Sequence, residues 1–236
     1  MLKIKNLSKS FGHKKALESI SFDLQKGRIT GFLGPNGAGK TTTIKILLGL
    51  IKKDEGTVEI NGKEIENLEE LKFIIKIGSL MEFPSFYSHL TAKENLEILS
   101  LLDGYKIDEK RLDTLLTLVG LEKEKDKRVE TFSFGMKQKL ALANALLNEP
   151  ELLILDEPFN GLDPKAMNDL NQLLKEFAAN NGTVFISSHI LSEVENLCDR
   201  LVIINHGQII LERELEFLKG SNLKEIYLKL TSNEKS

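Results

Sequence analysis

The residues best equipped for chemistry lie in RITGFLGPNGAGKTTTIKILLGL, residues 28–50, where Gly34 precedes four residues and then Gly39-Lys40-Thr41. This is the G-x-x-x-x-G-K-[ST] pattern of a phosphate-binding loop, set between an apolar run and a helix-like run as that motif requires. Glycine lets backbone amides close on phosphate oxygens without a Cβ in the way, and the helix that follows adds its positive end. Gly34, Pro35, Asn36, Gly37, Ala38, Gly39, Lys40, Thr41 and Thr42 therefore form the candidate nucleotide-binding run. Lys40 is expected on the β- and γ-phosphates, and the Thr41 hydroxyl on Mg²⁺.

A second group follows the apolar run of LLILDEP, where Asp156 and Glu157 stand at the mouth of a buried strand. In parallel sheets ligands gather at such strand ends. With a phosphate loop upstream, Asp156 is the candidate metal ligand and Glu157 the candidate base for a water attacking the γ-phosphate. His189 ends another apolar run, TVFISSH, and is expected beside the same sheet edge, within reach of that phosphate. His13, His89 and His206 have no comparable setting and are assigned to surface or turn positions.

These groups need a scaffold that brings distant segments together. LKIKNL, SISFDL, RITGFL and TVEING read as early strands broken by turn signals such as Lys26-Gly27 and Asn61-Gly62. From Pro84 to Asn148 the apolar spacing becomes helical, with Thr91 and Glu94 set as a capping box and Gly120 closing a second helix. After Pro150 strand and helix alternate, which implies right-handed crossovers in a mostly parallel sheet. The expected class is α/β: a mostly parallel core, an antiparallel β addition near the N-terminus, and a helical insertion over 84–148. Residues 212–236 read as a charged C-terminal tail.

The chain has 236 residues, 41% hydrophobic and 28% charged, with 32 basic against 35 acidic residues, the profile of an ordinary globular protein with no basic footprint for nucleic acid. No run approaches the roughly 18–20 apolar residues of a membrane span, and MLKIKNLSKS lacks the apolar segment of a secretory signal. A cytoplasmic location is expected, with any membrane attachment supplied by another chain. Cys198 alone can form no internal disulfide and reads as a small core residue.

FSFGMKQKLALANALLNEPELLILDEPFNGLDP, residues 132–164, resembles the signature helix, Walker B strand and D-loop of ABC-type ATPases. The order also matches: phosphate loop at Gly34, signature at Ser133, Walker B at Asp156, switch histidine at His189. The resemblance spans nearly the whole chain. It implies the P-loop fold of that family in one domain, 1–236, and ATP with Mg²⁺ as the ligands. It implies a head-to-tail dimer in which Ser133 and Gly135 of one chain meet the nucleotide of the other. Phe11 matches the adenine-stacking aromatic, ordinary core packing being its other reading. Asp163 matches the D-loop acid that reaches across the dimer. Ser133 and Gly135 also stand just ahead of a helix-like run, MKQKLALANALLN, whose start would suit a phosphate.

Two departures stand out. Phe134 and Met136 replace the first Gly and the Gln of the usual Leu-Ser-Gly-Gly-Gln signature, and Glu82 stands where the family has Gln. A carboxylate at 82 can still ligate Mg²⁺, or simply be a solvated loop group. These features, with PSFYSHLTAKENL, resemble the bacitracin-resistance and lantibiotic-immunity subgroup. The implied function is the motor subunit of an exporter of antimicrobial peptides or drugs, working with separate transmembrane permease subunits at the inner face of the membrane, as a homodimer. Motors for other substrates, import motors and non-transport ABC ATPases remain the alternatives.

Overall fold

The computed structural model describes residues 1–65, 74–81, 85–218 and 222–232. Two sheets organise them. The larger has six strands in the order β10-β9-β3-β8-β7-β6, formed by β3 (Ile29–Leu33), β6 (Ile77–Leu80), β7 (Leu152–Asp156), β8 (Thr183–Ser188), β9 (Arg200–Asn205) and β10 (Gln208–Glu214). All neighbours run parallel except β10, which returns antiparallel beside β9. β3, β7 and β8 are buried along their whole length, which is why none of them alternates apolar with exposed charged residues.

The second sheet is antiparallel, in the order β2-β1-β4-β5, from β1 (Leu2–Phe11), β2 (Lys14–Leu24), β4 (Glu55–Ile60) and β5 (Lys63–Ile65). Its strands alternate, with Leu2 and Ile4 of β1 buried and Lys3 and Lys5 exposed, so one face can rest on the core. The rings of Phe22, Phe32 and Phe185 join the two sheets, with centroids 5.2–5.5 Å apart. Ile44, Ile46 and Leu47 of α1 (Lys40–Leu47) pack into the same cluster.

Between the parallel neighbours β6 and β7 the chain carries α2 (Ala92–Leu102), α3 (Glu109–Leu118) and α4 (Phe134–Ala145). The Thr91–Glu94 capping box expected from the sequence forms in full at the start of α2. α5 (Pro164–Ala179) connects β7 to β8 and α6 (Leu191–Leu197) connects β8 to β9. Within 212–236, Glu212 and Glu214 belong to β10 and both pair with Arg200, and α7 spans Leu223–Ser232. Among the described residues no helix is long and apolar enough to cross a membrane.

Cys198 packs partly buried against two core clusters, and desolvation pushes its thiol far above the usual range, which keeps it protonated and inert. His13 and His206 sit in turns and His89 is exposed.

Candidate active site

β8 lies between β3 and β7, so the C-terminal ends of three adjacent strands deliver the chemistry to one edge. Leu33 registers with Ser188, and Asp156 with Ser187. The loop from Gly34 leaves β3 and enters α1 through Gly39, whose φ of 115° no L side chain adopts readily. A Cβ there would also lie 2.8 Å from the Ala16 carbonyl oxygen. No side chain caps the first turn of α1, so its amides are left for an anion. Asn36 and Gly37 are exposed at the loop tip, Pro35 and Thr42 are half-buried, and Ala38 is buried. Gly207 donates to the Ala38 carbonyl at 2.9 Å and Glu18 to Gly207 at 2.8 Å, which ties the β1–β2 hairpin to this loop.

Thr41 Oγ1 donates to Asp156 Oδ2 at 2.9 Å, and Ser187 Oγ donates to Asp156 Oδ1 at 2.5 Å. Asp156 is wholly buried, yet among the described residues its partners are these two hydroxyls and no cation. A buried carboxylate without countercharge, with a second hard oxygen beside it, fits a divalent cation such as Mg²⁺. The fit rests on Thr41 and Asp156. Glu82 lies outside the described residues.

Glu157 joins the other groups. Its Oε1 is 3.3 Å from Lys40 Nζ, and its Oε2 is 2.8 Å from His189 Nδ1. A carboxylate only accepts, so Nδ1 carries the proton and Nε2 is left for another partner. Lys40, only 6% exposed, also donates to the carbonyls of Gly34 at 2.7 Å and Pro35 at 3.3 Å. Glu157 itself has φ 49°, a strained conformation for a non-glycine residue, and Ser187 holds it by accepting its N–H at 3.0 Å.

The remaining sequence candidates sit elsewhere. Ser133 is the N-cap of α4, its hydroxyl accepting from Met136 N at 3.2 Å, so α4 begins at Phe134 and Gly135 lies inside its first turn rather than ahead of it. Asp163 is the N-cap of α5, accepting from Ala166 N at 2.9 Å. Phe11 ends β1 as a residue 51% exposed, with Lys9 Nζ 5.5 Å from its ring centroid, which rules out the core reading.

Two serines escaped the sequence reading. Ser187 bridges Asp156 and the Glu157 backbone. Ser188 donates to Glu193 Oε2 at 2.5 Å and accepts from Ile190 N at 2.8 Å, bracing the turn that carries His189. Burial, reinforced by the charge of Glu157, raises the Glu193 carboxyl above its usual range against the pull of Ser188 and His189. Ser187→Ala takes a partner from the buried Asp156 carboxylate and from the part-buried Glu157 N–H, at about 1–3 kcal/mol. A melting temperature lower by about 2–4 °C for each kcal/mol is expected in calorimetry. An unchanged melting temperature would show that neither group depends on the hydroxyl.

Comparison with known proteins agrees with this geometry. The sequence profile of the ABC transporter family matches residues 17–160. The chain is 44% identical to the bacitracin transport ATP-binding protein BcrA of Bacillus licheniformis, over 100% of this chain and 77% of that protein. It is 42% identical to the lantibiotic transport ATP-binding protein SrtF of Streptococcus pyogenes, over 96% of each. A solved dimeric structure of a bacterial ABC transporter cassette superposes with a TM-score of 0.82 at 27% identity, covering 91% of this chain and 99% of that one. The chain belongs to the ABC transporter family, as one of its ATP-binding, ATP-hydrolysing cassettes.

Proposed function

We propose that the chain powers the export of antimicrobial peptides of the bacitracin or lantibiotic kind, as the motor of a transporter whose membrane-spanning subunits are separate chains. The observation that carries the motor reading is the junction of Lys40, Glu157 and His189, with Thr41 and Asp156 beside it. The likeness to the bacitracin and lantibiotic transport proteins supports the cargo class. The division into one cassette over 1–236, with an inserted helical unit over 84–148 and a tail over 212–236, belongs to the same proposal. So does a location at the inner face of the membrane, held by the permease.

The chemistry follows from the contacts. ATP enters against the amides of residues 36–41, with Phe11 offering its exposed ring to the base. Lys40 then exchanges the Gly34 and Pro35 carbonyls and Glu157 for phosphate oxygens, so that two neutral acceptors give way to charged ones. Released from Lys40, Glu157 takes a proton from the attacking water, with His189 beside it and turning its N–H to the γ-phosphate. Mg²⁺ held by Thr41 and Asp156 would screen the charge that builds on the phosphates. Ser133 and Gly135 would meet the nucleotide of a second copy, completing two equal sites, with Asp163 at the turn between them.

A deletion strain tests the cargo. Increased sensitivity to bacitracin-like or lantibiotic peptides, with multi-span proteins recovered on the tagged chain from solubilised membranes, is expected. Membrane partners without altered sensitivity would discard the peptide cargo and keep the motor. Recovery of ribosomes or DNA factors instead would overturn transport.

A further inference from the structure

The bulky residue in the signature has no place in the chemistry above, yet it makes a specific contact. Phe134 opens α4 as an exposed residue, 45% accessible and outside every core cluster, so burial does not account for it. One edge of the ring lies against Gly161. A Cβ at Gly161 would stand 2.4 Å from Phe134 Cδ1 and 2.6 Å from Cε1, closer than atoms can approach. Gly161 also has φ 72°, so the turn and the ring both require glycine. Gly135 adds to the contact: a Cβ there would meet the Gly161 carbonyl oxygen at 3.5 Å and Leu162 Cδ2 at 3.8 Å.

The turn beneath the ring is fastened at both ends. Asn160 donates to the Glu157 carbonyl at 3.2 Å, and Asp163 caps α5. We propose that Phe134 is a positioning residue: its ring on Gly161 locks the signature turn to the turn that carries Glu157. The small residue usual at this signature position could not fill that space. Resting on the reading of the chain as a dimerising ATPase, the contact would hold the surface offered to the partner's nucleotide in register with the chain's own base.

A double-mutant cycle on steady-state ATPase activity tests this, with ATP affinity of the single chain measured alongside. Phe134→Gly should lower kcat by on the order of 10–10²-fold, the usual consequence of about 1 Å of misplacement. Phe134→Leu, which keeps bulk over Gly161, should recover most of that loss. Gly161→Ala should lower kcat in both backgrounds through its φ of 72°, but by several-fold less in the Phe134→Gly background, because the ring it strikes is gone. ATP affinity, set by the phosphate loop, should hold throughout, which a folding defect would not allow. Equal effects of Gly161→Ala in both backgrounds, or full activity of Phe134→Gly, would overturn the proposal. A wild-type chain that hydrolyses no ATP would overturn the motor reading itself.

Discussion

Replacing Glu157 by Gln is expected to leave ATP binding intact and to lower turnover by about 10²–10⁴-fold, the usual worth of a positioned general base. The substitution keeps the shape of the side chain and an oxygen for the His189 Nδ1 proton. What it removes is the negative charge and the ability to take a proton from water. It also ends the 3.3 Å ion pair that draws Lys40 toward Glu157, so the ammonium is freer to meet phosphate. Affinity for ATP should therefore hold or rise while hydrolysis fails. Single-turnover hydrolysis and equilibrium binding on the same preparation separate the two. Normal turnover would remove Glu157 from the chemistry and leave its strained backbone without a mechanistic use.

Lys40→Ala should act on the opposite step. A hydrogen bond to a charged group is worth about 1.5–3 kcal/mol, so ATP affinity should fall roughly 10- to 100-fold. The cost falls on binding because Lys40 sits inside the loop, 2.7 Å from the Gly34 carbonyl, and reaches Glu157 from there. Turnover at saturating ATP should suffer less than affinity does. Isothermal titration with a non-hydrolysable ATP analogue reads the change directly. Unchanged affinity would contradict the assignment of residues 34–42 to the triphosphate. Thr41→Ala provides a contrast, since its loss should weaken the Mg²⁺ dependence of binding more than binding without the metal.

Much of this site is visible in the sequence because its parts are local. The phosphate loop is one contiguous segment, and its strand and helix flank it directly. Asp156 and Glu157 end a run buried throughout, and they stand out because a phosphate loop lies upstream; without it, two acids after a strand would say little. The capping box at Thr91 is equally local and forms as read.

What escaped depends on strand order. Ser187 reaches Asp156 only because β8 is the neighbour of β7, a pairing between segments about thirty residues apart that no spacing rule reports. The Lys40–Glu157 pair spans 117 positions, the difference between 40 and 157. Local competition decided a third case. Ser133 caps its helix two residues earlier than the apolar pattern suggests, which puts Gly135 inside α4. β6, four residues containing Gly78 and Ser79, has too little β-branched character to read as a strand, and is one because it pairs with β7. Glu212 and Glu214 look like tail charges in sequence and are partners of Arg200 in the fold.

ATP is expected to join two of these chains into a working motor. Light scattering of the Glu157→Gln chain during size-exclusion chromatography, with ATP and Mg²⁺ in the buffer, tests it most directly. A mass of two chains with ATP and of one without is expected, and no dimer when Lys40→Ala is added. A Glu157→Gln chain that binds ATP and remains a single chain would contradict it.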